Sequence, residues 1–237
     1  MKEKVLLSKY SALVQNIEAY FKTSEQSIHK ARNEIKVIDF EGEEVVVKSF
    51  KEPNFVNKIA YLLYKDSKAK RAYDYAHKIV DFTPTPIGYR EFYKGAFLKR
   101  SYFVSQKFEY DFSMKKPLDD PSFANREALL QAFVAFTKML HDNNILHLDY
   151  SPGNILIKKE GSSYHFKIVD INRMKFKKLS QKDRMKNFAK LGASDDDLSF
   201  MIYSYSQDKK DVSLAIQYSY KHQNFRAFKK RIKKLFK

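Results

Sequence analysis

The chain contains no cysteine. Disulfides and thiolate metal sites are therefore excluded, and a reducing cytoplasm is the natural compartment for such a composition. Glycine is sparse. It stands at 42, 88, 95, 153, 161 and 192, never ahead of the first expected hairpin, so that hairpin has no glycine-rich turn to let backbone amides approach phosphate oxygens. No stretch approaches the roughly 18 apolar residues that a membrane-spanning helix needs. The start, Met1 to Tyr10, has only Val5-Leu6-Leu7 as an apolar run, too short for the core of a signal peptide. Internal repeats and low-complexity segments are also missing.

What remains is a chain of 237 residues, 43% apolar and 15% aromatic, enough to bury a sizeable core in one domain or two packed lobes. Lys plus Arg exceed Asp plus Glu by 45 − 28 = +17. Such a balance favours an anionic partner: nucleic acid, an acidic membrane surface or a phosphorylated substrate. Charge alone does not choose among them, and a solvated basic surface has the same composition. Nucleic acid is not expected, because no motif of its own accompanies the charge.

Read in order, Leu6, Tyr10, Leu13, Val14, Ile17 and Phe21 recur at helical spacing, giving an amphipathic helix from about Ser8. From Ser27 to Lys48 the pattern is stranded. Ile35, Val37 and Phe40 precede a turn at Glu41-Gly42-Glu43, and Val45-Val46-Val47-Lys48 follows. Helices are expected over 54–65 and 67–80. Thr83-Pro84-Thr85-Pro86 stops the second one. Residues 87–92 and 98–106 read as paired strands, 107–121 as a connector, and 123–140 as a long helix with Leu129, Leu130, Phe133, Phe136 and Leu140 buried. Short strands at 155–157 and 166–169 flank Glu160-Gly161, and the chain after Asn172 reads as mainly helical. Ser194 with Asp197 has the spacing of a capping box, which accounts for Asp195-Asp196-Asp197 without a metal. The fold class is thus α+β, with a strand-rich N-lobe over about 1–108 and a mainly helical C-lobe over about 109–237. Together they form one two-lobed, protein-kinase-like domain over 1–237.

Between the long helix and the helical end lies Leu146-His-Leu-Asp-Tyr-Ser-Pro-Gly-Asn-Ile-Leu-Ile157, then a hairpin, then Lys167-Ile-Val-Asp170. His147, Asp149 and Asn154 have the offsets H-x-D-x-x-x-x-N of a kinase catalytic loop, and Asp170 follows the next strand. Phosphoryl transfer needs charge neutralisation and alignment more than covalent chemistry. Asn154 offers an amide oxygen and Asp170 a carboxylate, hard ligands suited to Mg2+. Asp149 is placed to orient an incoming hydroxyl and accept its proton. His147 more plausibly braces the loop. Lys48 ends a Val-rich strand, where kinases carry a nucleotide-contacting lysine, and Asp74 is the acid well inside the next recognisable helix. Lys30 and Arg32, in the turn His29-Lys30-Ala31-Arg32-Asn33, would replace the missing amides by direct charge on ATP.

These stretches carry a resemblance. Lys30-Ala-Arg-Asn-Glu-Ile-Lys-Val to Val-Val-Val-Lys48-Ser-Phe-Lys, Ser67-Lys-Ala-Lys-Arg-Ala-Tyr-Asp-Tyr-Ala to Thr85-Pro-Ile-Gly-Tyr, and His147 to Leu156 with Val169-Asp170 together resemble the bacterial lipopolysaccharide core kinases, the Kdo and heptose kinases with a protein-kinase-like fold. The resemblance implies transfer of the ATP γ-phosphate to a sugar hydroxyl of a lipid-linked inner-core acceptor, in the cytoplasm at the inner face of the inner membrane. Asp149 would be the base, Asn154 and Asp170 the metal ligands, and Lys48 with Asp74 the nucleotide clamp. Asp170-Ile-Asn172 departs from the common Asp-Phe-Gly but keeps the carboxylate. Another small-molecule or protein kinase of this fold is the alternative, as is a non-catalytic kinase-like module on a membrane or nucleic acid.

The last stretch, Lys221 to Lys237, puts Phe225, Phe228, Ile232, Leu235 and Phe236 on one helical face, with Arg226, Lys229, Lys230, Arg231, Lys233, Lys234 and Lys237 elsewhere. A basic amphipathic helix over about 222–237 suits an anionic membrane surface. It equally suits docking on the lower lobe.

Overall fold

The computed structural model describes residues 1–30, 33–54, 61 and 65–235. Most of the helix expected over 54–65 and the tip of the first hairpin, including Arg32, lie outside the described residues. The chain divides into two compact units, Met1–Phe108 and Glu109–Lys237.

The first unit is built on a six-stranded antiparallel sheet. Its strands are β1 (Lys2–Val5), β2 (Ser27–Lys30), β3 (Asn33–Phe40), β4 (Glu43–Phe50), β5 (Pro86–Lys94) and β6 (Phe97–Gln106), in the order β1-β5-β6-β4-β3-β2. Alternation sorts the side chains of β4 onto two faces. Val45 and Val47 are fully buried beneath α1 (Ser11–Gln15) and α2 (Ile17–Thr23), in a cluster with Leu13, Val14, Ile17 and Phe21. Phe50 points to the opposite face, where Ala69 and Tyr73 of α3 (Lys68–Lys78) and Tyr89 of β5 cover it. Ser67 caps α3, its hydroxyl accepting from Lys70 N–H at 3.1 Å.

Two expectations change here. The N-terminal helix is broken at Asn16 into α1 and α2, and the chain ahead of it forms β1, paired with β5 from Lys2↔Glu91 to Val5↔Gly88. Such an edge strand, with three charges in four residues, lacks the apolar alternation by which strands are read. The pairing requires Gly88: a Cβ there would lie 2.7 Å from the Lys4 carbonyl oxygen and 3.1 Å from Val14.

The second unit is mainly helical, with α4 (Lys115–Asp119), α5 (Arg126–Asp142), α6 (Gln181–Phe188), α7 (Asp195–Ser206) and α8 (Lys209–Leu235). Strands β7 (Phe112–Ser113), β9 (Ile155–Glu160) and β10 (Ser163–Ile168) form a small sheet in the order β10-β9-β7. Strand β8 (Ile145–His147) pairs separately with β11 (Met174–Phe176). The apolar stripe of α5 is buried as its periodicity predicts, with Phe133 and Phe136 packed on Phe166 of β10. Each such side chain contributes about 1.5–3 kcal/mol by leaving water.

Strand β11 was not legible in a stretch read as helical. The capping box lies at Ser180 and Asp183, reciprocally bonded at the start of α6. Ser194 does cap α7, but the Asp197 carboxylate turns away to Arg126, 2.6 Å off, in a largely buried ion pair. Helix α8 runs well ahead of the expected 222, and Phe225 and Phe228 on it are more than half exposed. Among the described residues no helix is long and apolar enough to cross a membrane.

Candidate active site

The hairpin β9–β10 and the pair β8–β11 deliver the motif residues. β8 ends at His147 opposite Met174, and Leu148 N–H then bonds the Arg173 carbonyl at 2.7 Å. The loop turns tightly: Ser151 N–H bonds the Asp149 carbonyl at 2.7 Å, and Asn154 N–H bonds that of Ser151 at 2.9 Å. Pro152 opens the single 3-10 turn that ends at Asn154, where its fixed φ and missing N–H cost nothing. Opposite the loop, Val169 N–H bonds the Asn154 carbonyl at 2.9 Å. Asp170 is therefore the next residue past a backbone bond to Asn154. It holds a left-handed φ of 55°, rare for a residue with a Cβ and a conformation that bends the chain sharply off β10.

His147 is buried. Its Nδ1 accepts from Asp149 N–H at 3.1 Å, so the ring proton sits on Nε2 and is donated to the Val169 carbonyl at 3.0 Å. Burial holds this imidazole below its usual pKa and thus neutral. Tyr150 is fully buried, donating to Thr137 Oγ1 of α5 at 2.8 Å, while that hydroxyl donates to the Phe133 carbonyl. Flanked by these two buried rings, Asp149 keeps a half-exposed carboxylate, 3.6 Å from the Arg173 guanidinium.

Three successive loop carbonyls are each held by a side chain. Asn187 Nδ2 donates to His147 O at 2.8 Å, Lys190 Nζ to Leu148 O at 2.8 Å, and Asn154 Nδ2 to Asp149 O at 2.9 Å. The first bond ends a buried chain. Arg184 donates to Tyr205 Oη, which donates to His141 Nδ1 at 3.1 Å, and His141 Nε2–H donates to Asn187 Oδ1 at 3.0 Å. This directionality requires a neutral His141, and burial lowers its pKa to about 4. Sequence reading missed His141, Asn187 and Lys190. His141 extends the buried stripe of α5, a usable signal; nothing in the sequence marks Asn187.

The donor set suits a magnesium–phosphate centre. The Asn154 amide nitrogen is committed to Asp149 O, so its oxygen is the end left to act as a ligand. Asn172 donates to Asp170 Oδ1 at 3.2 Å, while its own oxygen is buried without a hydrogen-bond partner. No group of three or more His, Cys, Asp or Glu that could hold a metal occurs among the described residues. Mg2+ needs none when substrate phosphates and water complete its shell.

Of the residues expected in the first unit, Lys48 lies in β4 opposite Phe103 and Ile35, on the face that α3 covers, with its ammonium 5.5 Å from the Phe50 ring. Asp74 is on α3, and its carboxylate pairs with Lys70, one turn back, at 2.9 Å. Lys30 ends β2 opposite Glu34, and Arg32 lies outside the described residues.

The family model of the lipopolysaccharide kinase (Kdo/WaaP) family matches residues 76–217. That is more than half of the chain. The chain belongs to this family. The matched span includes His147, Asp149, Asn154 and Asp170, whereas Lys30, Arg32, Lys48 and Asp74 precede it. A solved structure described as WaaP in complex with acyl carrier protein is similar at a TM-score of 0.64, covering 94% of this chain and 99% of that one at 14% identity. At that identity the likeness speaks for the fold, which is protein-kinase-like. No curated protein matches by sequence. As a member of the Kdo/WaaP family the chain is a kinase of lipopolysaccharide biosynthesis, a phosphotransferase that uses ATP.

Proposed function

We propose that residues 1–237 act as one kinase-like domain that transfers the γ-phosphate of ATP to a sugar hydroxyl, on Kdo or heptose, in the lipopolysaccharide inner core. The observation that carries this reading is the hydrogen-bonded frame His147–Asp149–Asn154–Val169, which holds the half-exposed Asp149 carboxylate on a loop tied to Asn154 and to the residue before Asp170. Asp149 orients the acceptor hydroxyl and takes its proton as the sugar oxygen bonds the γ-phosphorus and the bond to the ADP oxygen breaks. Asn154 and Asp170 hold Mg2+, which offsets phosphate charge when bound. His147 braces the loop. Lys48 contacts the nucleotide, with Asp74 released from Lys70 as its acid, and Lys30 and Arg32 meet the phosphates.

We further assign the enzyme to the inner face of the inner membrane as a peripheral protein. The support is the exposed Phe225 and Phe228 and the surrounding cations of α8, which suit an anionic interface. Because the similar WaaP structure holds an acyl carrier protein, a carrier-protein partner belongs to the same reading. The test is incubation with labelled ATP, Mg2+ and a Kdo-bearing lipid A precursor, beside heptose-bearing core. Label is expected in one of the two. Label in neither, with a soluble sugar or a protein labelled instead, would overturn the acceptor class.

A further inference from the structure

The second unit contains a cavity of about 240 Å³, lined in part by Leu146 and Leu148 of the loop region. Its polar lining is strongly one-sided. Lys175 comes from β11, Lys186 from α6, Lys190 from the turn after it, and His222 and Tyr218 from α8. Asp183 is the acid in that lining, and its carboxylate is already engaged by Lys177 at 2.6 Å and by Ser180 at the start of α6. It does little to neutralise the three ammonium groups. Lys186 stands over the Tyr218 ring at 5.0 Å, which fixes one wall without using up its charge.

The cavity lies close to the proposed base. Lys190 Nζ bonds the carbonyl of Leu148, immediately before Asp149. The Asp149 carboxylate raises the proton affinity of both Lys190 and His222, yet both stay below their usual pKa, chiefly because burial disfavours their charged forms. Lys175 and Arg226 add positive charge beside them. Lys190 and His222 are half-buried, with Lys175 and Lys186 exposed at the rim, so an anion seated in the free volume meets several donors at once, part of them withdrawn from water.

We infer that this cavity binds an acidic group of the acceptor, the carboxylate of an acidic sugar or a phosphate already on the core, and so turns the acceptor hydroxyl toward Asp149. Lys175 and Lys186 supply the charge, Tyr218 a flat wall for the sugar ring, and Lys190 couples the cavity to the loop. The inference rests on the proposed sugar-kinase reading and deepens it, because Kdo carries a carboxylate and heptose carries none. The cavity favours the acidic sugar.

The test uses the full chain. Lys175→Ala and Lys186→Ala, both exposed and away from the loop's hydrogen bonds, are compared with Lys186→Arg. Acceptor KM and kcat are measured on a Kdo-bearing lipid A precursor, its carboxyl-reduced form and its dephosphorylated form. Binding of the same three is followed by calorimetry without ATP. Loss of one charge-assisted contact should raise KM and the dissociation constant about tenfold with kcat at saturation changed far less. Arginine should restore most of the affinity. If the substitutions cease to matter on the carboxyl-reduced acceptor, the anion is the carboxylate; if they cease to matter on the dephosphorylated one, it is a phosphate. Equal sensitivity on all three, or an unchanged KM and binding constant in both alanine variants, overturns the inference. The kinase reading fails separately, if the wild-type chain binds these acceptors but transfers phosphate to none of them.

Discussion

The segment Ile145–Met174 and the hairpins Ser27–Phe50 hold their polar groups by opposite means. In the first, consecutive carbonyls at 147, 148 and 149 are each held by a side-chain donor, and two neutral imidazoles fix the direction of the surrounding hydrogen bonds. In the second, a regular antiparallel ladder fixes the backbone, β3 pairing with β4 from Asn33↔Phe50 to Phe40↔Glu43, whatever the cations along it carry at their ends. A polar network places a carboxylate in one geometry because every partner is directional, and an unmade bond inside it is costly. A ladder sets which face a lysine leaves from and little more. The loop should therefore be sensitive to single-atom changes, and the hairpins to charge alone.

The largest effect is expected at the end of the network. Asp149→Asn keeps the shape of the loop and removes the proton acceptor, so kcat should fall about 10³-fold while ATP binding persists. Nucleotide affinity by titration, run beside single-turnover transfer, separates the two. Loss of both together would point to a collapsed loop and blunt the contrast with the hairpins.

Acid should loosen the same network. His141 has a pKa of about 4 in the folded chain against 6.5 in the unfolded one, so between those values the unfolded state binds more protons. Stability is then complete above pH 6.5, falls with pH, and has lost about 3 kcal/mol at pH 4. Burial pushes His147 the same way. Asp183, at about 2 in the fold, adds its own loss only below 3.8, so the histidine window stands apart from it. Urea midpoints at pH 7 and 4.5 for the wild type and His141→Gln give the measurement. An equal drop in both would remove His141 from the account.

Asn187→Leu should cost about 2 kcal/mol by leaving His147 O and His141 Nε2–H without partners. It should also lower kcat about tenfold with ATP affinity kept. Chemical denaturation and steady-state kinetics on one preparation decide whether Asn187 acts on the loop or on stability alone.

Much of this was legible in the sequence, for reasons that differ by residue. Leu129, Phe133, Phe136 and Leu140 declare a helix because burial repeats with the helical period. His147, Asp149, Asn154 and Asp170 are readable because a loop followed by a hairpin fixes their spacing. β1 was unreadable because Lys2-Glu-Lys-Val5 carries no apolar alternation and its register depends on the missing side chain of Gly88. β11 is short, with Met174 its one buried residue. Asn187 acts through a contact 40 positions away in the chain, which no local pattern encodes, and Asp197 resembled a cap until Arg126 offered a stronger partner.

The smallest effect should come from the hairpin side, and it tests the contrast most directly. Without glycine between β2 and β3, close amide contact with phosphate is not available, and point charges are the substitute. If Lys30 and Arg32 meet the phosphates as point charges in water, Lys30→Ala and Arg32→Ala should each weaken ATP binding only a few-fold, about 1 kcal/mol. Independent point charges should give losses that add and that shrink as salt rises from 50 to 500 mM, since screening shortens to a few ångströms over that range. A network would behave differently: the first substitution would carry most of the loss and salt would matter little. ATP titrations of both single variants and the double variant at the two salt concentrations distinguish these patterns, and unchanged affinity in all three would remove Lys30 and Arg32 from the nucleotide site.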